Sequence, residues 1–248
     1  MTVIINADDF GFDENRTRAI LSAFKQGIVT RTTAMANMPY FEQAMKMAKE
    51  EGLIEKVGLH FNLAEGHPLT DELCACHIIC DENGELMTGW HCNLKTRLIL
   101  PRSAKRAIAA EARAQMQRFL DCGGRLMHFD SHYHVHTDFS VASAMFPVAR
   151  QFGFRTTRLS RTLAVEGGAA KQLYKVLFNR YAKMAIGVDA DEFTDFEGFA
   201  QAHKGLPESA RVEVMVHPQY DEKGEMVDMG RPMKGDAEFW SRMEIRKC

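Results

Sequence analysis

Val3-Ile4-Ile5-Asn6-Ala7-Asp8-Asp9-Phe10-Gly11 opens the 248-residue chain with an apolar run that closes on two adjacent carboxylates and a glycine. A strand that ends on paired acids before a turn places charge where a parallel sheet opens to solvent. Two later stretches repeat the shape. Val57-Gly58-Leu59-His60-Phe61-Asn62 delivers one histidine, and Met127-His128-Phe129-Asp130-Ser131-His132-Tyr133-His134-Val135-His136 delivers four.

Between these stretches the pattern alternates. Asp13 is placed to cap a helix running to Gly27, with Ala19, Ile20, Ala23 and Phe24 on one face. A second strand is expected over 32–37, a helix over 41–49 and a third strand over 57–63. This is the rhythm of a parallel sheet with right-handed crossovers. Residues 64–102 interrupt it with little periodicity, and such insertions in compact domains tend to be lids or binding loops. A helix over 103–122, a strand over 126–129 and a helix over 139–152 follow, with Asp138 as cap and Pro147 as a point where that helix could kink. Strands are expected at 154–159, 187–189 and 212–216, and helices at 173–186, 196–203 and 239–247. The fold class expected is α/β: an irregular (β/α) TIM-like barrel, one domain over 1–248 with an insertion at about 64–102.

Asp8, Asp9, His60, His132, Arg158 and His217 each fall at or just past the C-terminal end of an expected strand. Ligands collect at that edge of α/β sheets and barrels, and core packing gives no reason to place polar residues there repeatedly. Two imidazoles and one carboxylate leave coordination positions for water and substrate, so Asp9, His60 and His132 are read as ligands of one divalent metal. Zn, Co, Mn or Ni suit such donors, and Mg does so if water fills most positions. Asp8 is expected off the metal, as a base. Successive strand side chains face opposite ways, so both acids converge only where the strand unwinds. Asp130 or a backbone carbonyl is expected to orient His132. His128 is either structural or functional. His134 and His136 share one side if their segment is extended, and either shape the pocket or hydrogen-bond the loop. His217 is either an acid for a leaving amine or a strand-end histidine satisfied by its neighbours.

The formal net charge of -2 gives no steering toward nucleic acid or anionic membranes, and no run is apolar enough to span a bilayer. With 46% hydrophobic and 26% charged residues, the composition is that of a soluble globular protein, and a cytoplasmic location is expected. Cys74, Cys76, Cys80 and Cys92 lack the Cys-x-x-Cys spacing of common zinc sites, so free, mostly buried thiols are expected.

Asn6-Ala7-Asp8-Asp9-Phe10-Gly11, Gly58-Leu59-His60-Phe61-Asn62-Leu63 and the 128–136 stretch together resemble the signature segments of the YdjC-like carbohydrate deacetylases, including the chitooligosaccharide deacetylase type. Thr30 to Asn37, Arg158-Leu159 and His217-Pro218 agree more weakly. The resemblance implies a (β/α) barrel and a divalent metal (Mg or Zn foremost) on Asp9, His60 and His132. It also implies Asp8 as base and His217 as acid. Asn62, His136 and Arg158 are assigned to a small acetylated-sugar substrate, with a homodimer left open as the assembly. Against this stand a non-haem iron oxygenase built on His128-x-Asp130 and a non-catalytic metal- or sugar-binding protein.

Overall fold

A computed structural model describes residues 1–164, 167–243 and 246–247, the last two by their strand pairing alone. The opening stretch forms β1 (Thr2–Phe10), and from Val3 onward every residue of it is buried. The Asp13 side chain accepts a hydrogen bond from the Arg16 backbone N–H and starts α1 (Glu14–Lys25), which buries Ala19, Ile20 and Ala23. Then come β2 (Arg31–Ala34), α2 (Phe41–Glu50) and β3 (Val57–Phe61). β3 stops two residues short of expectation because the Asn62 side chain takes the backbone N–H groups of Ala64 and Glu65, at 2.9 and 3.2 Å, and turns the chain.

The insertion is ordered. It carries two short helices, α3 (Asp71–Cys74) and α4 (Leu94–Leu98), and sends Leu73, Ile79, Cys80, Leu86 and Trp90 into the main core. Its underside is tied to α5 (Arg102–Asp121), where buried Glu111 accepts from the Leu69 and Thr70 backbone N–H groups, each at 3.0 Å. Among the described residues the cysteines are free, as expected, but contrary to expectation most are not buried: Cys80 is, whereas Cys74, Cys76 and Cys122 are half-buried and Cys92 is exposed.

β4 (His128–Ser131), α6 (Phe139–Gln151), β5 (Thr156–Thr157), α7 (Ala169–Ala185), β6 (Glu192–Asp195), α8 (Phe196–Ala202) and β7 (Arg211–Val216) complete the main pattern. All seven strands are parallel in the order β5-β4-β3-β2-β1-β7-β6, the cyclic order of a barrel with a breach between β5 and β6. The breach is spanned by single bonds: the Thr162 N–H donates to the Phe193 carbonyl at 3.0 Å, and the Phe193 N–H to Thr162 Oγ1 at 2.8 Å. The result is a curled half-barrel of TIM-like type.

Several elements depart from the sequence reading. The strand expected over 154–159 contracts to β5, and the one expected at 187–189 forms instead as β6. Gly187 has φ 114, outside the strand region. The Asp138 side chain caps nothing and accepts from Arg97 Nε at 2.6 Å, although its own carbonyl still begins α6. Pro147 lies inside α6 without ending it. Past β7 the chain makes a small antiparallel sheet, β8 (Pro218–Tyr220), β9 (Met226–Asp228) and β10 (Arg231–Pro232). The expected tail helix appears earlier, as α9 (Asp236–Arg242). Residues 244–245 of that reading lie outside the described residues, and β11 (Arg246–Lys247) pairs with the start of β1.

Candidate active site

The C-terminal end of β1 departs from regular strand. Asp9 has φ 67, and pairing with β2 shifts register between Ala7 and Phe10. A left-handed residue breaks the two-residue alternation, so Asp8 and Asp9 both reach the mouth of the half-barrel. Asp9 Oδ1 lies 3.2 Å from His60 Nε2 and 2.9 Å from His132 Nδ1. One donor atom from each of Asp9, His60 and His132 falls within 4.8 Å of the others. Three side chains separated widely in sequence thus meet as the sequence reading expects.

Strand register explains how His60 is held. His60 on β3 pairs directly with Asp130 on β4, and its Nδ1–H donates to Asp130 Oδ1 at 2.6 Å, leaving Nε2 toward Asp9. Asp130 therefore orients His60 and not His132, a correction that follows from register alone. Asp130 Oδ2 also accepts from Thr33 Oγ1 at 3.0 Å and pairs with Arg158 Nη2 at 2.6 Å. Burial works to raise the Asp130 carboxyl, but the Arg158 and His60 charges hold it far below the usual carboxylate range.

His132 presents Nδ1 to Asp9, and its Nε2 stands 3.7 Å from Glu65 Oε2, beyond a hydrogen bond. That nitrogen is buried with no hydrogen-bond partner among the described residues. Burial works to lower His60 and His132. Asp130 and Asp9 carry His60 up to about 10, and the hydrogen bond to Asp9 with the nearby Glu65 carboxylate raises His132. Burial works to raise Asp9, yet hydrogen bonds from His132 and His60 hold it well below the usual range. The cluster places one carboxylate between two imidazoles. Its donor set, two imidazoles and a carboxylate with a carboxylate orienting His60, fits a divalent metal.

Asp8 is not free-standing. Its oxygens accept from Arg158 Nη1 and Nη2, each at 2.6 Å, and Oδ1 also accepts from Asn6 Nδ2 at 2.8 Å. Arg158 Nε donates to Glu213 Oε1 at 2.7 Å. His217 Nε2 stands 3.9 Å from Asp8 Oδ2, and Asp228 lies behind the ring, with Oδ1 3.7 Å from Nδ1 and accepting the His217 backbone N–H at 2.9 Å. Burial works to lower His217, but the adjacent Asp228 carboxylate and the charges of Asp8 and Asp9 carry it above the usual histidine range.

The three residues assigned to substrate are each buried and hydrogen-bonded within the protein. Arg158 is fully buried and bonded to three carboxylates. Asn62 is buried and ties together Asn37 and the Ala64–Glu65 turn. His136 is buried, its Nε2–H donating to the Arg158 carbonyl at 3.1 Å and its Nδ1 accepting from Ser131 Oγ at 2.6 Å, and burial drives its pKa down to about 3. Nor do His134 and His136 share a side. The segment is a tight turn in which Tyr133 (φ 50) and His134 (φ 56) are left-handed, and His134 packs on Phe193 at 5.6 Å. Two such residues cost about 1–3 kcal/mol each and are characteristic of functional sites. His128 is fully buried, 3.3 Å from Asp189, and shares the barrel interior with Asp130 and Glu213.

The sequence reading missed Glu213, Arg31, Glu65 and Asp228. Glu213 had a signal, being the one charge within Val212-Glu213-Val214-Met215-Val216. Arg31 is bonded to Asn6 at 2.9 Å because Asn6 and Arg31 are register partners, which no sequence pattern announces. Asp228 arrives on a hairpin and carries no local signal.

The profile of the family described as YdjC-like protein matches residues 2–245. A carbohydrate deacetylase of Vibrio cholerae is 37% identical over 152 residues, 61% of this chain and 56% of that protein, little more than half its length. Carbohydrate deacetylases of Brevibacillus brevis and Listeria innocua are 28% and 30% identical over 89% of this chain and 82% of theirs. Among solved structures, one from Enterococcus faecalis V583, described as a candidate for cellobiose-phosphate cleavage, superposes with a TM-score of 0.67. It is 23% identical, covering 90% of this chain and 82% of that one, and it speaks for the fold alone.

Proposed function

This chain belongs to the family of YdjC-like proteins, and from that premise we propose that it is a metal-dependent hydrolase removing the N-acetyl group from an N-acetylated amino sugar or short oligosaccharide. The observation that carries the reading is the convergence of Asp9, His60 and His132 donor atoms within 4.8 Å, with Asp8 and His217 alongside. The names of the relatives support it.

Asp9, His60 and His132 would hold the divalent cation, Mg or Zn foremost, with Co, Mn and Ni also suited to the donors. Such a cation, when bound, supplies Lewis acidity that acidifies a water and polarises an acyl oxygen. Asp8 takes a proton from the attacking water, whose oxygen bonds to the acetyl carbon. Arg158 positions Asp8 through both carboxylate oxygens, a bidentate grip that fixes its direction. His217, held by Asp228, gives a proton to the amine nitrogen as the C–N bond breaks, so acetate and a free amino sugar leave. The reading carries with it a cytoplasmic enzyme with a small sugar as partner. No helix among the described residues is long and apolar enough to cross a membrane. An iron oxygenase centred on His128 and Asp130 is disfavoured, because both are fully buried and Asp130 is already bonded to Arg158 and His60.

Acetate release from N-acetylglucosamine, its short oligomers and their phosphorylated forms, with each metal in turn, tests the proposal. Release that stops on chelation and resumes on metal addition is expected. Silence across the whole panel would overturn it.

A further inference from the structure

Tyr133 follows His132 directly and its ring packs edge-on against it, but the two differ in exposure. The left-handed backbone at Tyr133 (φ 50, ψ 20) turns its ring outward, 48% of the residue exposed, while His132 stays inside. A bulky side chain rarely adopts that conformation, and here it is repeated at His134. The Tyr133 and His132 ring centroids are 4.4 Å apart.

The exposed ring is braced rather than loose. Its hydroxyl donates to Glu65 Oε1 at 3.0 Å. Asn62 and Asn37 fix Glu65 in turn by accepting or donating at its backbone, with Asn62 Nδ2 2.7 Å from the Glu65 carbonyl. From the insertion, the His91 ring meets Tyr133 at 5.8 Å, tilted 34°. His91 is set by Trp90, 6.0 Å away, whose Nε1–H donates to the Leu63 carbonyl at 2.8 Å. A large apolar face at the mouth of a polar site, with an acceptor at its edge, is what a sugar ring requires: C–H groups against an aromatic plane and a hydroxyl to a carboxylate.

We infer that Tyr133, braced by His91 and Glu65, is the platform on which the pyranose ring bearing the N-acetyl group stacks, with Glu65 accepting one of its hydroxyls. This rests on the deacetylase reading. The acetyl carbon is joined to the sugar ring through nitrogen by two bonds, spanning roughly 2.5 Å. An acyl group beside His132 therefore brings its ring within reach of Tyr133, whose ring centroid is 4.4 Å from that of His132. The insertion contributes to recognition through His91.

The test uses the full chain loaded with metal and N,N′-diacetylchitobiose as probe. Acetate release gives KM and kcat, and Trp90 fluorescence, with Trp90→Phe as control, follows binding of the same disaccharide to metal-free protein. Tyr133→Ala and His91→Ala should each raise KM about tenfold with kcat little changed, the pattern of lost uniform binding. Tyr133→Phe should keep KM within a few-fold, and Tyr133→Ala should lose the fluorescence response. Should Tyr133→Ala misfold, His91→Ala and Tyr133→Phe carry the test, since His91 lies on the insertion. Wild-type KM and fluorescence response in both His91→Ala and a folded Tyr133→Ala would overturn the platform while leaving the deacetylase reading intact. A sugar-dependent fluorescence change without acetate release from any acetylated sugar would do the reverse.

Discussion

Replacing Asp8 with Asn separates a base from a carboxylate that only holds structure together. In the folded protein Asp8 Oδ1 accepts from Arg158 and Asn6, and Oδ2 from Arg158. Whichever way the amide is turned, its NH2 faces an N–H donor of the guanidinium. Removing one partner of a buried pair costs about 3–5 kcal/mol, and the low end applies because Asp130 and Glu213 still balance Arg158. For a chain of this size each kcal/mol lowers Tm by about 2–4 °C, so a fall of roughly 6–12 °C is expected. The loss in turnover is separate: deleting a general base removes about 10²–10⁴ of rate. Asp9, His60 and His132 are untouched, so metal content should remain near one per chain, whereas His132→Ala should lose metal and turnover together. The measurements are kcat at saturating acetylated sugar, metal per chain after dialysis, and Tm. A folded, metal-replete Asp8→Asn protein with kcat within a few-fold of wild type would refute the base assignment. An unchanged Tm would refute the clamp.

Three further outcomes are expected. His217 must be protonated to act as acid, and its pKa lies above the ordinary histidine value, so kcat should hold through neutral pH and fall as pH rises through that raised pKa. Asp228→Asn removes the largest raising influence and should move this alkaline limb to lower pH. A limb that stays put argues that another group is the acid. Because His60 is carried up to about 10 without a cation, metal must displace a proton there below that pH. Affinity should therefore rise with pH, and calorimetry in buffers of different ionisation enthalpy should register proton release. Binding with no proton release contradicts the site. Finally, a Cβ added at Gly58 would lie 2.8 Å from the His128 carbonyl oxygen and 3.1 Å from Thr33 Cγ2. Gly58→Ala should thus push β3 from β4 and destabilise the protein by about 1–3 kcal/mol, while weakening metal binding at His60. Unaltered melting would show that the sheet yields at no cost.

The alternation of strand and helix and the meeting of Asp9, His60 and His132 were legible in the sequence, because each motif ends an apolar run and strand ends share one edge of a parallel sheet. The contraction of the 154–159 strand to two residues was not, since Arg158 and its neighbours read as strand while the barrel breach leaves them no ladder. The partners of the charged residues were equally hidden. Asp130 lies two residues from His132 in sequence, and local spacing favours that pair, but register hands it to His60. Arg158 reads as a substrate contact only while its burial is unknown. Tyr133 was passed over because an exposed aromatic between histidines carries no periodic signal, and only its left-handed backbone sets it apart.

The inner wall of this half-barrel is built from ions where other barrels place branched aliphatics: Arg31 and Arg158 are interleaved with Asp8, Asp130, Asp189 and Glu213. Each member neutralises more than one neighbour, so the tolerance of any position to change is set by what its companions happen to be. Evolution across this wall should therefore proceed in blocks. An exchange at Glu213 that is ruinous alone should become permissible beside a matched exchange at Arg31 or Arg158, and laboratory selections that alter single positions will find the lining far less plastic than the rim.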